Sequence, residues 1–209
     1  MKRRRTFLGS PLARWLRPVA ILLLRSFGWR AVGERPSEPR YVMAAAPHTS
    51  NWDGILLILL AMELRIELYW LGKKELFPWP FGGLMRWFGG VPVDRKSPAD
   101  LAEQVAQAYR ESANLVVVIP PEATRSRAER WKTGFYRIAQ AADVPVGMGF
   151  VDFATRTGGV GTLFRLQGRL TGDPKDFESP GVLADLEHLR AFYETKTGRF
   201  PERFGPIRF

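Results

Sequence analysis

His48 and Asp53, separated by four residues, are the side chains of this sequence best suited to proton transfer. The 209 residues include two histidines and no cysteine, so few other groups can exchange a proton near neutral pH. On one continuous helix, positions five apart point about 140° away from each other. The two side chains can therefore meet only if His48 lies in the turn before a helix and Asp53 lies in its first turn.

The residues between them form a helix-start pattern. Ser50 is a good N-cap residue, and Ser50-Asn51-Trp52-Asp53 has the spacing of a capping box. One interpretation of Asp53 is structural, since a carboxylate at this position caps backbone N–H groups and complements the helix dipole. The other is that Asp53 orients His48 while His48 acts as a general base. In that case we expect backbone N–H groups near the helix start to stabilise an oxyanion.

The hydrophobic pattern supplies the elements that position these residues. A short apolar run precedes His48 and a longer one follows it, which is typical of the strand-to-helix junctions where α/β proteins carry their sites. The pattern predicts an α/β fold, a single domain with a central mixed, largely parallel sheet flanked by helices. Strands are predicted at Tyr41–Ala46, Ile66–Leu71, Val91–Val93, Leu115–Ile119, Val144–Phe153 and Val160–Leu170. Helices are predicted at Pro11–Gly28, Trp52–Glu63, Phe81–Phe88, Pro98–Glu111, Glu129–Ala142 and Val182–Thr197.

Three further motifs place polar groups at the ends of predicted elements. Arg95 ends the segment GGVPVDR, where its planar guanidinium group suits a phosphate, although a surface Asp–Arg pair is the alternative. Glu122, Thr124 and Arg125 crowd a sharp loop after the apolar strand LVVVI, and such loops often carry sites. Arg125 is a candidate for phosphate binding and Glu122 for a hydroxyl contact, with a solvated turn as the alternative. Lys132 lies near a helix start, where an ordinary surface lysine is the alternative.

The positive charge of the chain is concentrated at its N-terminus. The net charge is +10, and residues 1–40 hold ten of the 31 basic and two of the 21 acidic residues. This segment therefore carries +8 and the remainder of the chain only +2. The asymmetry predicts that one end of the molecule meets an anionic surface. It argues against a nucleic-acid binder, since the body is nearly neutral and has no recognisable nucleic-acid motif.

The pattern of the N-terminal segment indicates that this surface is a membrane. Apolar residues recur at spacings of three and four, and arginines fall on the opposite face. This is typical of a helix that lies in the membrane interface, whereas the alternative is an ordinary helix packed on the domain with a basic outer face. The apolar residues are Leu12, Leu16, Val19, Leu23 and Phe27, with Trp15 and Leu22 at the edge, and the arginines are Arg14, Arg17 and Arg25.

Several classes of protein lose support from the sequence. The uninterrupted apolar run Val19–Leu24 is far shorter than the roughly 20 residues that span a bilayer. The residues at 4–8 resemble a twin-arginine export motif, but arginines interrupt the apolar region that follows and no small-residue cleavage site lies close by. Neither a G-x-S-x-G turn nor a P-loop occurs. One histidine beside one aspartate gives too few ligands for zinc, so we expect no catalytic metal.

Taken together, four ordered segments resemble the motifs of the glycerophospholipid acyltransferase family. They are HTSNWD, GGVPVDR, PEATRS and the VPV at 144–146, and they span roughly half of the chain. The resemblance implies that His48 is the general base and Asp53 its partner. It implies that Arg95 and the third segment, with Glu122, Thr124 and Arg125, bind the substrate phosphate. Family members also commonly carry a K-x-G-x-x-x-x-A stretch like the one that begins at Lys132.

The family resemblance sets the expected function. A fatty acyl group would move from an acyl thioester, acyl-CoA or acyl-carrier protein, to a hydroxyl of a lysophospholipid or related lysolipid, with no cofactor. The expected location is peripheral, on the cytoplasmic face of the cell membrane, with residues 1–40 as the membrane-association segment and 41–209 as the acyltransferase domain. The third segment usually has glycine where this chain has Ala123, which is strained if the loop requires a positive φ. A catalytically degraded lipid-binding protein of the same fold is the alternative.

Overall fold

Seven strands form one sheet in the computed structural model of this chain, with helices on both faces. The structure describes residues 6–93 and 98–209. The strands within these ranges are β1 (Arg30–Val32), β2 (Arg40–Ala45), β3 (Leu68–Lys73), β4 (Gly90–Val93), β5 (Leu115–Ile119), β6 (Val146–Asp152) and β7 (Thr157–Phe164). The α-helices are α1 (Pro11–Ser26), α2 (Trp52–Leu64), α3 (Gly82–Trp87), α4 (Pro98–Arg110), α5 (Gly134–Ala142) and α6 (Pro180–Tyr193).

The sheet is mixed and largely parallel, as predicted. Its strand order is β1-β7-β6-β2-β5-β3-β4, and each neighbouring pair is parallel except the antiparallel pair β6 and β7. Strand β2 lies between β6 and β5, at the centre of the sheet. The carboxyl ends of β2 and β5 therefore lie side by side, at the edge where open α/β sheets bind ligands.

Alternate residues of β2 point into two different cores, because successive side chains of a strand face opposite sides. Val42 and Ala44 belong to the main core, which also contains buried residues of α4, α5 and α6. Tyr41 and Met43 belong to a second core on the other face, together with Ala61 of α2. The central strand is thus covered on both faces, which explains its nearly continuous apolar sequence.

Strands β1 and β7, at one edge of the sheet, differ from the prediction. Strand β1 was not predicted, because three residues that pair with β7 leave no period in the sequence. Strand β7 runs from Thr157 to Phe164 rather than from Val160 to Leu170, and Gly158 and Gly159 lie inside it. A Cβ atom at Gly159 would lie 2.2 Å from the carbonyl oxygen of Val32, so close backbone approach requires glycine there. Residues 1–40 therefore contribute a strand to the sheet, and the domain boundary at residue 40 stays a prediction.

Helix α5 begins at Gly134, five residues later than predicted. The backbone N–H groups before it are used elsewhere: that of Trp131 donates to the Arg208 carbonyl at 2.7 Å, and that of Lys132 donates to the Pro121 carbonyl at 2.7 Å. These bonds connect the helix start to the loop after β5 and to the C-terminal segment. The positions of Lys132 and of this loop are therefore coupled.

Helix α1 turns its apolar face away from the domain. Trp15 is 81% exposed and Phe27 is 69% exposed, while small residues of the helix pack inward against α2. Arg25 forms an ion pair with Glu63 of α2, and Arg17 donates two hydrogen bonds to the Glu63 carbonyl. The helix does pack on the domain, but its outer face is apolar rather than basic, and the predicted N-terminal helix with exposed apolar residues is confirmed.

Exposed apolar side chains continue beyond α1. We call this set the apolar outer surface; it comprises Leu12, Trp15, Leu16, Val19, Leu22, Leu23 and Phe27 of α1 with its cap, Trp52, Ile55 and Ile58 of α2, and Trp79, Phe81, Leu84 and Phe88 in or near α3. Phe7 joins these regions, since its ring contacts the rings of Trp87 and Phe88. Within the described part of the chain, no helix has both the length and the apolar character needed to cross a bilayer.

Candidate active site

The turn after β2 brings His48 and Asp53 together. Helix α2 begins at Trp52, so His48 precedes the helix and Asp53 lies in its first turn. Nδ1 of His48 is 3.5 Å from Oδ2 of Asp53. Contacts between catalytic groups are often this long in unliganded enzymes and shorten in the complex with substrate. The geometric condition set by the spacing of the two residues is therefore met.

Asp53 also performs the structural role that its sequence context predicts. Its Oδ2 accepts hydrogen bonds from the backbone N–H groups of Thr49 at 2.7 Å and Ser50 at 2.8 Å, and its Oδ1 accepts one from the Ser50 hydroxyl at 2.6 Å. The predicted N-cap differs, since the helix is capped by Asn51 without a side-chain hydrogen bond. Ser50 instead helps to orient the carboxylate. One aspartate thus fixes the turn and faces the imidazole.

Burial and hydrogen bonding act on Asp53 in opposite directions. Burial disfavours its charged form, but hydrogen bonds from His48, Ser50 and Thr49 outweigh burial and lower the pKa of Asp53 below its ordinary value. The carboxylate is therefore ionised at neutral pH. An ionised partner at Nδ1 favours the imidazole tautomer with its proton on Nδ1, which leaves Nε2 unprotonated.

Glu122 lies behind the histidine rather than in the open site. Its side chain follows β5, is 3% exposed, and accepts a hydrogen bond from the backbone N–H of His48 at 2.6 Å. Burial raises the pKa of Glu122 to about 8; the bond from His48 opposes this rise, and the charge of Asp53 adds to it. Oε1 of Glu122 has no hydrogen-bond partner among the described residues. Glu122 thus holds the backbone that carries the imidazole.

These contacts restrict where an oxyanion can bind. The N–H groups of His48, Thr49 and Ser50 all donate to carboxylates. The expectation that N–H groups near the helix start bind an oxyanion therefore fails for these three positions.

The loop after β5 has a positive φ at position 123, which is the condition under which alanine in place of glycine is strained. Ala123 has a φ of +56°, in the left-handed region that favours glycine. The turn directs the following residues toward the histidine: Thr124 accepts a hydrogen bond from the Ser126 N–H at 3.2 Å, and Arg125 donates one to the side-chain oxygen of Asn51. The loop therefore adopts this left-handed conformation with alanine at position 123.

A cavity of about 750 Å³ opens beside the histidine. Five of the residues predicted to form the site line it, namely His48, Asp53, Thr124, Arg125 and Lys132. Glu122 is not among the lining residues, and Arg95 lies outside the described residues. Within those residues neither Arg125 nor Lys132 forms an ion pair, so both cationic groups remain available to an anion.

The remaining wall of the cavity is apolar. It includes Leu57 of α2, Leu71 of β3, Leu101 of α4, and Val118 and Ile119 of β5. The cavity thus joins a polar region, with an imidazole and two cations, to a region without charged groups. This combination suits an amphiphilic ligand that has an anionic head and a hydrocarbon chain.

Sequence reasoning missed three supports of the site. Asn51 holds Arg125, although its place in the HTSNWD segment is a usable signal. Thr49 is fully buried, and its hydroxyl accepts from the Phe200 N–H at 3.3 Å. Arg203 donates to the Thr49 carbonyl at 3.5 Å. The contacts from the C-terminal segment join residues about 150 positions apart, so no local pattern in the sequence reveals them.

The family of the chain follows from comparison with known proteins. Residues 31–147, which include β2, the His48 turn and the loop after β5, match a family model described as Acyltransferase. The chain belongs to this acyltransferase family.

Two individual proteins are similar to it. The 1-acyl-sn-glycerol-3-phosphate acyltransferase of Haemophilus influenzae is 26% identical over 129 residues, which cover 57% of this chain and 52% of that protein. The chain thus aligns with about half the length of this curated relative. The crystal structure of the 1-acyl-sn-glycerophosphate (LPA) acyltransferase PlsC from Thermotoga maritima matches with a TM-score of 0.55 and 16% identity, covering 88% of this chain and 77% of the other. At that identity the likeness establishes the fold.

Proposed function

We propose that this protein transfers a fatty acyl group from an acyl thioester to a free hydroxyl of a lysophospholipid or related lysolipid. The observation that carries the proposal is the position of the His48–Asp53 pair, which lines the same cavity as Arg125 and Lys132. The relative from Haemophilus influenzae, named as a 1-acyl-sn-glycerol-3-phosphate acyltransferase, supports this class of acceptor.

His48 acts as the general base in this mechanism. Nδ1 faces Asp53, so Nε2 is the atom that takes the proton of the acceptor hydroxyl. The deprotonated oxygen attacks the thioester carbonyl, a new C–O bond forms, and the C–S bond breaks. The imidazolium then returns the proton to the leaving thiolate. Asp53 stabilises the imidazolium while it exists, and general-base catalysis of this kind contributes about 10²–10⁴-fold in rate.

Arg125 and Lys132 bind the phosphate of the acceptor. Arg125 is oriented by Asn51, whose side chain is neutral, so the guanidinium retains its full charge for a phosphate. Lys132 is positioned by the bond from its N–H to Pro121, at the same loop. Arg95 completes the cationic set in this proposal, by resemblance to the family motif. Glu122 acts through His48 as a positioning residue, because its carboxylate contacts the His48 backbone and is not among the lining groups.

The apolar wall of the cavity receives hydrocarbon. Leu57, Leu71 and Leu101 present no charged group to a chain that enters beside His48. The acyl donor in this proposal is acyl-CoA or acyl-carrier protein, and the reaction requires no cofactor, since base, acceptor and thioester supply every bond and proton.

The apolar outer surface contacts the membrane in this proposal. Its largest side chains are strongly exposed, with Trp79 at 93% and Trp15 at 81%, as expected of aromatic residues that insert at the headgroup level. Trp52 and Ile55 belong to this surface and to α2, the helix that begins at the active site. A lysolipid can therefore move from the bilayer to His48 over a short distance. The cytoplasmic face of the cell membrane is the proposed location.

The alternative of a catalytically degraded protein depends on Ala123. Loss of glycine there would matter if the loop changed shape, but Thr124 and Arg125 still line the cavity. The cavity therefore favours the enzyme over the degraded protein.

The proposal is tested with labelled acyl-CoA and acyl-carrier protein, offered with a panel of lysolipids in vesicles. We expect transfer to lysophospholipids and weaker transfer to a monoacylglycerol of the same chain length, which has the hydroxyl but lacks the phosphate. Equal transfer to both acceptors would remove the role of Arg125 and Lys132. Absence of transfer to every acceptor, with vesicle binding intact, would favour the degraded protein.

A further inference from the structure

A second cavity of about 650 Å³ lies at the opposite end of the sheet from His48. Tyr41 of β2 and Leu115 and Val116 of β5 line it, and these residues stand at the amino ends of their strands. Tyr41 and His48 are seven positions apart in the sequence, so at about 3.3 Å per residue the two cavities lie roughly 20 Å apart. The mechanism above uses no part of this second cavity.

Arginine dominates the charged lining of the cavity. Arg14 and Arg17 of α1, Arg35 before β2 and Arg65 after α2 line it, against the two carboxylates Glu38 and Glu67. Arg17 is committed to the Glu63 carbonyl. Within residues 6–93 and 98–209, the guanidinium groups of Arg14, Arg35 and Arg65 form no ion pair. Cations of one sign that converge on a cavity without partners constitute a site for an anion.

The two carboxylates that line the cavity form no ion pair with these arginines among the described residues. Glu67 accepts hydrogen bonds from the Thr6 hydroxyl and, at 2.6 Å, from the Tyr69 hydroxyl. Both donors are neutral, and both bonds go to Oε1 of Glu67. The cationic groups keep an excess of two positive charges over the carboxylates that line the same space.

A buried hydroxyl gives independent support for a ligand. Tyr41 lines the cavity and is 1% exposed, yet its hydroxyl oxygen has no hydrogen-bond partner in the described part of the chain. Burial raises the pKa of Tyr41 and the positive charge of Arg35 opposes the rise, which places that charge near the hydroxyl. Buried hydroxyl groups are nearly always satisfied, so this donor is expected to meet an oxygen that the ligand supplies.

We propose that this cavity binds a phosphate group, with Arg14, Arg35 and Arg65 contacting its charge and the Tyr41 hydroxyl donating to one of its oxygens. Arg14 stands next to Trp15 of the apolar outer surface, so either the headgroup of an anionic lipid or a soluble phosphate can reach it. The site is separate from the proposed acceptor site and its occupation does not depend on acyl transfer.

The first arm of the test is a titration with inorganic phosphate, against chloride at equal ionic strength, followed by the backbone amide signals of Arg65 and Leu115. The unmodified chain is compared with two variants, Arg14→Gln/Arg35→Gln and Tyr41→Phe. The charge-matched control is Arg165→Gln/Arg169→Gln, whose arginines are exposed and do not line the cavity. We expect phosphate affinity to fall at least fivefold in the first variant and about threefold in Tyr41→Phe. The control should retain its affinity.

The second arm is flotation with phosphatidylcholine vesicles that contain phosphatidylglycerol. A loss in both arms, or in the vesicle arm alone, identifies the ligand as a lipid headgroup; a loss in the phosphate arm alone identifies a soluble ion. Unchanged affinity in both arms overturns the proposal, as does an equal loss in the control pair. Wild-type affinity in Tyr41→Phe removes the hydroxyl from the site. Neither arm measures acyl transfer, so a failure here is distinct from a failure of the proposed function.

Discussion

The two ends of the sheet use charge in opposite ways. At the carboxyl ends of the strands, Asp53 and Glu122 are buried, and their oxygens accept hydrogen bonds from the turn that carries His48. At the amino ends, Arg35 and Arg65 are exposed around a cavity and form no ion pair among the described residues. At the carboxyl ends the buried acidic side chains hold the turn of a single imidazole, whereas no buried acidic side chain lines the amino-end cavity beside its arginines.

This difference separates what catalysis requires from what binding requires. A base must be held in one tautomer and one position, which requires acceptors around its own backbone and side chain. Binding an anion requires only that cations converge on one space. Removal of the base should therefore change the rate, loss of its supports should change stability, and variants of the unpaired cations should change affinity.

The largest expected effect is at the base itself. His48→Ala removes the group that takes the hydroxyl proton, so we expect kcat for acyl transfer to fall by about 10²–10⁴-fold. The fold should persist, because the capping bonds of Asp53 to Thr49 and Ser50 do not involve the imidazole. The measurement is acyl transfer at saturating acceptor, with circular dichroism as the check on folding.

The chain contains a matched control for this substitution. His188, the second histidine, lies on α6 with its ring against Phe164 and outside the catalytic cavity. His188→Ala should retain kcat within about twofold, since it contacts no reacting atom. If His48→Ala kept full activity, the mechanism would be removed.

The next effect concerns how Glu122 holds the turn, and it appears as a dependence of stability on pH. The pKa of Glu122 is about 8 in the folded protein against an ordinary value of 4.5. The folded state therefore binds a proton that the unfolded state has released, and the stability this provides is complete below pH ~4.5 and lost as the pH rises through ~8. We expect a loss on the order of 3 kcal/mol between pH 5 and pH 8, measured by urea unfolding.

Glu122→Gln tests the cause of this loss. Glutamine keeps an oxygen that can accept from the His48 N–H but cannot ionise, so the dependence on pH should flatten while activity stays within about fivefold. Glu194→Gln, on an exposed side chain, is the control and should retain the slope of the wild type. A KM for acceptor that rises in Glu122→Gln with kcat unchanged would instead assign Glu122 to phosphate binding.

The contrast between the two ends also shows what the sequence can predict. The α/β class, the parallel sheet and the meeting of His48 with Asp53 follow from local rules, namely the alternation of elements and the angle between positions on a helix. Strand β1 does not follow from such rules, because three residues are too few to show a periodicity. The need for glycine at position 159 depends on the carbonyl of Val32, which lies in another strand. A local sequence pattern predicts an element correctly wherever that element depends on one segment of the chain.

The site divides in the same way. Thr124 and Arg125 are predicted site residues because they follow a buried strand, and Lys132 because it lies near a helix start; all three line the cavity. The place of Glu122 behind His48 depends on two loops 74 positions apart in the sequence. The amino-end cavity is lined by residues in or next to α1, α2, β2 and β5, so no single sequence motif predicts it. Contacts between segments that are far apart in the sequence cannot be predicted from local patterns.

A smaller effect is expected from the cations at the mouth of the catalytic cavity. Arg125→Gln and Lys132→Gln should each raise the KM for a lysophospholipid by about tenfold and leave kcat within threefold, since each removes one charged contact with the phosphate. Arg127→Gln is the control, because Arg127 donates to the carbonyls of Glu202 and Phe204 and does not line the cavity. With a monoacylglycerol as acceptor the KM should not change, and a tenfold rise there too would contradict phosphate binding.

The smallest effect is a change in stability at Ala123, whose positive φ strains the backbone next to the catalytic cavity. A left-handed residue other than glycine costs about 1–2 kcal/mol, and a new glycine returns about 0.5–1 kcal/mol of that as added freedom of the unfolded chain. Ala123→Gly should therefore stabilise the protein by about 0.5–1 kcal/mol, measured by urea unfolding. Ala141→Gly, at an exposed position inside α5, should destabilise it by about 1 kcal/mol. Opposite signs for the same exchange of residues would show that the fold imposes the positive φ of 56° at Ala123; a loss of stability at both positions would show that the loop has no strain to release.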